Sequence, residues 1–212
     1  QDGLPVTTAA GDNHNRVIDP LAASYATFAR GANAVSYGAS TLGGAVNFVT
    51  PTAAGGARNS LSLNAGSHGQ AIGRLTLGSS FGESGDALVT IEGKTRDGYR
   101  EHNEQDRGGI YANAGFNPSD NWSTRFYLTV IHNDSELSSP LSRAEFEADP
   151  DQADPATIGN FQIDVDTTRL VNKTIWSIDD RRSLEFGVSI EEQSLFHPIV
   201  WSPFFSLLID TD

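Results

Sequence analysis

Seven acids crowd one stretch of this chain: Glu145, Glu147, Asp149, Asp151, Asp154, Asp164 and Asp166. Clustered carboxylates could ligate calcium, but the central Gly and terminal Glu of a helix-loop-helix calcium site are missing. The stretch therefore reads as a solvated loop. Asp12-Asn13-His14-Asn15-Arg16 forms a second polar run. His14 could bind a metal, yet no second ligand stands at a fixed spacing from it. Glycines at 31, 38, 43 and 44 look like a phosphate cradle at first sight. No Lys-Ser/Thr pair follows them, so a phosphate loop is excluded. His-Glu-x-x-His is absent, and no spacing links the Asp, Ser and His residues into a nucleophile and its base. Nothing selects a glycosidase pair among the 27 acids. An enzyme is not the expectation.

Charge and composition narrow the classes further. The net charge is −13, which argues against nucleic acid as a partner, because phosphate binding needs a basic face. Cysteine is absent, so disulfides and thiolate metal sites are unavailable. Methionine is absent even at position 1, so the chain reads as an internal piece of something larger. No run of 18 apolar residues occurs, which rules out a membrane-crossing helix and leaves a membrane barrel open. Barrel strands cross with about 9–11 residues, half of them polar.

The elements that must position these groups are strands. Residues 30–50 read as tight turns feeding one buried strand, Ala45–Thr50, which Pro51 ends. Pro51–Asn59 is a linker by composition. From residue 59 the chain alternates. Leu61/Leu63, Leu75/Leu77, Val89/Ile91, Ile110/Ala112, Phe126/Leu128/Val130 and Phe186/Val188/Ile190 mark apolar faces, with polar residues between them. Arg169–Trp176 is a weaker segment, interrupted by Asn172 and Lys173.

A soluble sheet or sandwich is one reading of this pattern. Against it, Arg74, Glu92, Lys94 and Glu185 put charges in mid-strand. Several segments also exceed the usual strand length of about 5–6 residues. Turns at 82–86, 117–121 and 179–181 are short, whereas connections at 97–107, 133–165 and 196–204 are long. Strict alternation of short turns and long loops fits an outer-membrane barrel. Tyr99, Trp122, Phe196 and Trp201 near strand ends fit an interfacial girdle.

The stretch Arg30-Gly31…Tyr37-Gly38…Gly43-Gly44-Ala45-Val46-Asn47 resembles the end of the plug domain in TonB-dependent outer-membrane receptors of Gram-negative bacteria. Asp2-Gly3-Leu4-Pro5-Val6 looks like the plug strand that introduces an apical loop. Thr95–His102 and Leu141–Asp149 are similar to the ferric citrate and siderophore branch. The resemblance implies a mostly all-β fold. Residues 1–52 would be the C-terminal part of an α/β plug. Residues 53–212 would be the first seven to eight strands of a truncated transmembrane antiparallel β-barrel.

It further implies a location in the outer membrane and import of a ferric siderophore or ferric citrate-like chelate. Energy would come through TonB-ExbB-ExbD, by a segment upstream of this chain. Iron enters only within the cargo, with no resident cofactor or metal. Uptake of another nutrient (an oligosaccharide or cobalamin) is the alternative within the superfamily. A soluble extracellular β-domain binding carbohydrate or protein is the alternative outside it. The resemblance places ligand contacts at the plug apex, on Asp12, Asn13, His14, Asn15, Arg16 and Ser40. Arg16 is preferred because ferric chelates are often anionic. Arg30, Gly31, Tyr37, Gly38, Gly43, Gly44 and Asn47 are expected to be structural. Arg30 would pin the plug to barrel acids such as Glu92 or Glu185.

Overall fold

A computed structural model describes residues 1–6, 18–38, 41, 43–82, 84–155, 158, 161–202 and 205–211; for Leu21, 199–202 and 205–211 it describes the backbone alone. Two sheets organise the chain. Strands β1 (Tyr25–Arg30) and β2 (Gly44–Val49) form an antiparallel ribbon, joined through a 3-10 turn at Gly31–Tyr37. The rest is one eight-stranded antiparallel meander. Its strands are β3 (Ser60–Ala65), β4 (Ala71–Phe81), β5 (Gly85–Arg96), β6 (Gln105–Ser119), β7 (Trp122–Glu136), β8 (Gln162–Asp179), β9 (Arg182–Ser202) and β10 (Phe205–Thr211). Each pairs with its neighbours in sequence. The connection at 50–59 lies between the two sheets.

Register sorts the side chains by face. Leu61, Leu75, Ile91, Ile110 and Val130 fall in one cross-strand row. They point outward: Leu61 is 67 % exposed and Ile91 50 %. The alternate positions point inward and carry buried polar and charged residues, with Glu92 6 %, Thr129 7 % and Arg169 3 % exposed, among a few apolar ones such as Leu88 and Ile131. This inverts a soluble protein, in which apolar faces are buried. Leaving a large aliphatic side chain in water forgoes about 1.5–3 kcal/mol of burial. An outer face of many such residues therefore matches a lipid environment.

The short turns at 82–84, 120–121 and 180–181 share one end of the sheet. The connections 66–70, 97–104 and 137–161 share the other. All three expected long loops are shorter than the sequence implied, 97–107 by the three residues that begin β6. The long loop is 137–161 rather than 133–165, because β7 and β8 both extend into it. There the alternation changes sense: Ile163 and Val165 are the buried positions and Asp164 and Asp166 face out. An acidic run thus conceals a strand. The expected connection at 196–204 is also mostly strand. β9 continues to Ser202, with Pro198 opposite Leu208 of β10, leaving 203–204 between them. The interrupted segment around Asn172 and Lys173 is regular strand as well. Asn172 Nδ2 donates to Thr124 Oγ1 at 3.0 Å, and Lys173 faces inward to Glu185 at 2.9 Å.

Candidate functional site

The expected contacts Asp12, Asn13, His14, Asn15, Arg16 and Ser40 lie outside the described residues. The structural set is placed as follows. Gly31 and Gly38 have φ of +56° and +100°. Gly44 has φ +141°, and a Cβ there would sit 2.6 Å from the Ala29 carbonyl oxygen across the ribbon, so only glycine fits. A Cβ on Gly43 would meet nothing within 4 Å, so the expected close approach belongs to Gly44 alone. Tyr37 Oη lies 3.3 Å from Thr27 Oγ1. Asn47 Oδ1 accepts from the Gly3 amide at 2.9 Å. Asp2 completes this clasp by accepting from the Thr50 amide at 2.8 Å and the Thr50 hydroxyl at 2.6 Å. Residues 1–6 form a turn, with φ +53° at Asp2 and +84° at Gly3, in place of the expected strand.

Arg30 is exposed, and the acids proposed for it are paired elsewhere. Glu92 meets Arg74 and, at 3.6 Å, Arg107; Glu185 meets Lys173. The polarity of the anchoring is reversed from expectation, since the wall supplies the cations. Arg74 bridges Asp19 of the N-terminal part to Glu92 of the wall. Arg169 donates to the Pro5 carbonyl at 2.8 Å and Lys173 to the Asp2 carbonyl at 3.1 Å. Near the short-turn end, Arg125 pairs with Asp86, whose carboxylate also accepts from the Ala54 amide at 3.2 Å. Buried charges held this way form rigid, oriented contacts, and removal of one partner leaves the other stranded.

At the opposite end the long connections close on each other. Arg100 donates to the carbonyls of Ser139 (2.8 Å) and Gln152 (2.8 and 3.1 Å). His102 places Nε2 2.8 Å from the Phe161 carbonyl and Nδ1 3.1 Å from Glu136 Oε1. Helix α1 (Arg143–Ala148) opens with a capping box, Ser142 against Glu145. Hydrogen bonds from the Ser142 side chain, first, and from its backbone amide at 2.7 Å, second, hold the Glu145 carboxyl below its ordinary pKa. Tyr99, bonded to Asp151, has its phenol raised by that acceptor. The acids of 145–154 are solvent-exposed, and Glu147 also pairs with Arg143 at 2.8 Å. Among the described residues, no cluster of three or more His, Asp or Glu could hold a metal.

Two wall cations stand apart and were unmarked in the sequence. Lys94 and Arg96 are successive inward positions of β5 at the long-loop end. Among the described residues no carboxylate pairs with either, and Arg96 Nε is buried without a hydrogen-bond partner. Their charge was visible in the sequence; their lack of counter-charge was not. A further stretch, Gly78-Ser79-Ser80-Phe81-Gly82, has Gly-x-Ser-x-Gly spacing. It enters a β-hairpin with no helix behind it, so it lacks the strand-turn-helix that exposes a nucleophile. Of the aromatics expected at a girdle, Trp122 stands at the short-turn end, its ring stacked on that of Trp176 at 5.6 Å across β7 and β8. Tyr99 instead sits on the 97–104 connection, edge-on to His68.

No protein-family model matches the chain, and no curated protein matches it in sequence. Solved structures do match. The ferric citrate transporter FecA in its unliganded form aligns over 82 % of this chain at 17 % identity, with a TM-score of 0.67. The ferric-catecholate import receptor Fiu from E. coli K12 aligns in its open form over 82 % at 13 % identity and TM-score 0.65. Its closed form aligns over 80 % at 14 % and 0.62. The chain spans only 26–29 % of the length of those proteins. Over that span it shares the antiparallel-strand fold of these solved structures.

Proposed function

We propose that this chain is part of an outer-membrane receptor that binds a ferric chelate, siderophore or citrate-like, and imports it with energy from TonB-ExbB-ExbD. The observation that carries the reading is the inverted sheet, apolar outside and ionic inside, with the N-terminal segment tied to its inner wall. Such a sheet suits lipid on one side and a filled lumen on the other. FecA and Fiu, which share this fold, are named for ferric citrate and ferric-catecholate traffic.

In this reading the ligand enters from the long-loop end and meets the plug apex at 12–16 and Ser40. Import requires the plug to shift. The contacts of Arg74, Arg125, Arg169 and Lys173 then set how firmly it is held. Polar contacts suit this task, because water entering a loosened lumen can replace them, whereas an apolar seam would resist wetting.

The test is uptake by cells producing the full-length receptor, with radiolabelled iron as ferric citrate or as a ferric catecholate. The expected result is saturable uptake that disappears without TonB. Uptake of neither complex, with TonB-dependent uptake of an oligosaccharide or cobalamin, would transfer the reading to another nutrient.

A further inference from the structure

The inner wall separates into compensated and uncompensated cations. Arg74, Arg107, Arg125, Arg169 and Lys173 each reach a carboxylate. Lys94 and Arg96 do not, among the described residues, and this in a chain of net charge −13. Carboxylates are abundant, so the lack of a partner is a property of the place.

We propose that Lys94 and Arg96 form an anion-binding dyad on the barrel wall, taking a carboxylate- or catecholate-bearing ligand. The dyad rests on the receptor reading above and gives it a charge class and a wall contact. Three observations converge on it. Lys94 and Arg96 share one face of β5, about 6.6–6.8 Å apart along the strand, a spacing that separate oxygens of one polyanion can bridge. Lys94 is directly opposite Arg107 in the ladder. Like charges so placed repel. Arg107 turns to Glu92 at 3.6 Å and Tyr111 Oη at 2.9 Å, which leaves Lys94 without a counter-ion. Finally, Arg96 keeps a buried Nε with no acceptor. An unmet buried donor costs free energy, and a guanidinium fork is shaped to receive two oxygens of an anion.

On the β4 side Lys94 is opposite the apolar Ile72, and toward β7 the other inner-face neighbours of the dyad are polar and uncharged. Gln105 is opposite Arg96, and its Nε2 donates to Asn133 Oδ1 at 3.0 Å. Asn133 and Ser135 are bonded to each other at 3.0 Å. Such a surround offers hydrogen bonds without cancelling the charge. A neutral chelate gains nothing from the dyad, so the arrangement selects by charge.

The experiment uses the full-length receptor and its Lys94→Gln/Arg96→Gln variant. Resistance to unfolding in detergent confirms that both are folded. Binding is measured for ferric citrate, iron-free citrate and the neutral ferric tris(acetohydroxamate). The expected result is a loss of affinity for both citrate forms of about tenfold or more per cation removed, with any binding of the neutral complex unchanged. The charge-keeping exchange Lys94→Arg/Arg96→Lys should restore most of the binding. Unchanged citrate affinity in the Gln variant, or no binding of citrate in any form by the unaltered receptor, would overturn the dyad. If iron-free citrate binds and is lost in the variant while no ferric complex is bound or imported, the dyad stands and the ferric reading falls.

Discussion

The outer and inner faces of β3–β10 are built from the same strands, yet they obey opposite rules. Outward positions such as Leu128, Leu170 and Ile190 are large, apolar and exposed, and their partners across the strands are of the same kind. Their specificity is low: any apolar residue serves, because lipid makes no directional demand. Many inward positions are charged or amide-bearing, and each of their contacts is particular. Arg74 meets Asp19 and Glu92, and Arg125 meets Asp86 and Asn113. A buried charge tolerates few substitutes, since geometry and sign must both match. The lesson is that the outer face is specified by pattern and the inner face by partner.

The sharpest way to break this contrast is Arg74→Ala. It removes the cation that joins Asp19 to Glu92, whose side chains are only 13 % and 3 % exposed, leaves Glu92 with Arg107 at 3.6 Å, and should cost about 3 kcal/mol. Reversible unfolding in lipid vesicles would measure the loss, and proteolysis of the N-terminal part should quicken. Leu128→Arg attacks the other face, and an arginine near the bilayer midplane should cost about 2–4 kcal/mol in the same assay. A cost near zero would show that this row does not face lipid.

A smaller effect is expected from Asn47→Ala, which removes the acceptor of the Gly3 amide. About 1–3 kcal/mol of local stability should vanish, read as faster hydrogen exchange at Gly3. Smallest is the α1 cap, which sits on neither face. The folded-state pKa of Glu145 lies below its ordinary value, so its contribution is complete above the ordinary carboxylate range. That contribution disappears as pH falls through the folded value. A carboxyl titration followed by NMR should show the depressed value, and Ser142→Ala should raise it part of the way, because the backbone amide at 142 still donates to Glu145.

Much of the wall could be read before folding. Period-2 alternation located β3 to β9, and the short turns located one end of the sheet. The failures share a cause. At 162–166 and 196–202 the pattern changes sense or is broken by Pro198, because those strands run past the region where the outward face must be apolar. The residues singled out as structural in 30–50 were harder. Gly44 is required by the Ala29 carbonyl of a strand 15 positions earlier in the chain, a proximity that only the ribbon register reveals. The pairing imagined for Arg30 failed because Glu92 and Glu185 had nearer cations on the adjacent strands. Cross-strand neighbours compete for an acid ahead of anything the N-terminal part can offer.

The sequence by itself determined that this chain makes long antiparallel strands with one apolar and one polar face, because alternation is a local property of the backbone pleat. It also determined that short and long connections segregate to opposite ends. Only the tertiary structure decided which charge meets which. Arg74 and Asp19 are 55 positions apart, and Arg169 and Pro5 are 164 apart. Such pairs depend on strand register and on where the N-terminal segment docks, and neither is written in any local window. For the same reason Lys94 and Arg96, ordinary cations in the sequence, became distinctive only when the folded wall left them without a partner.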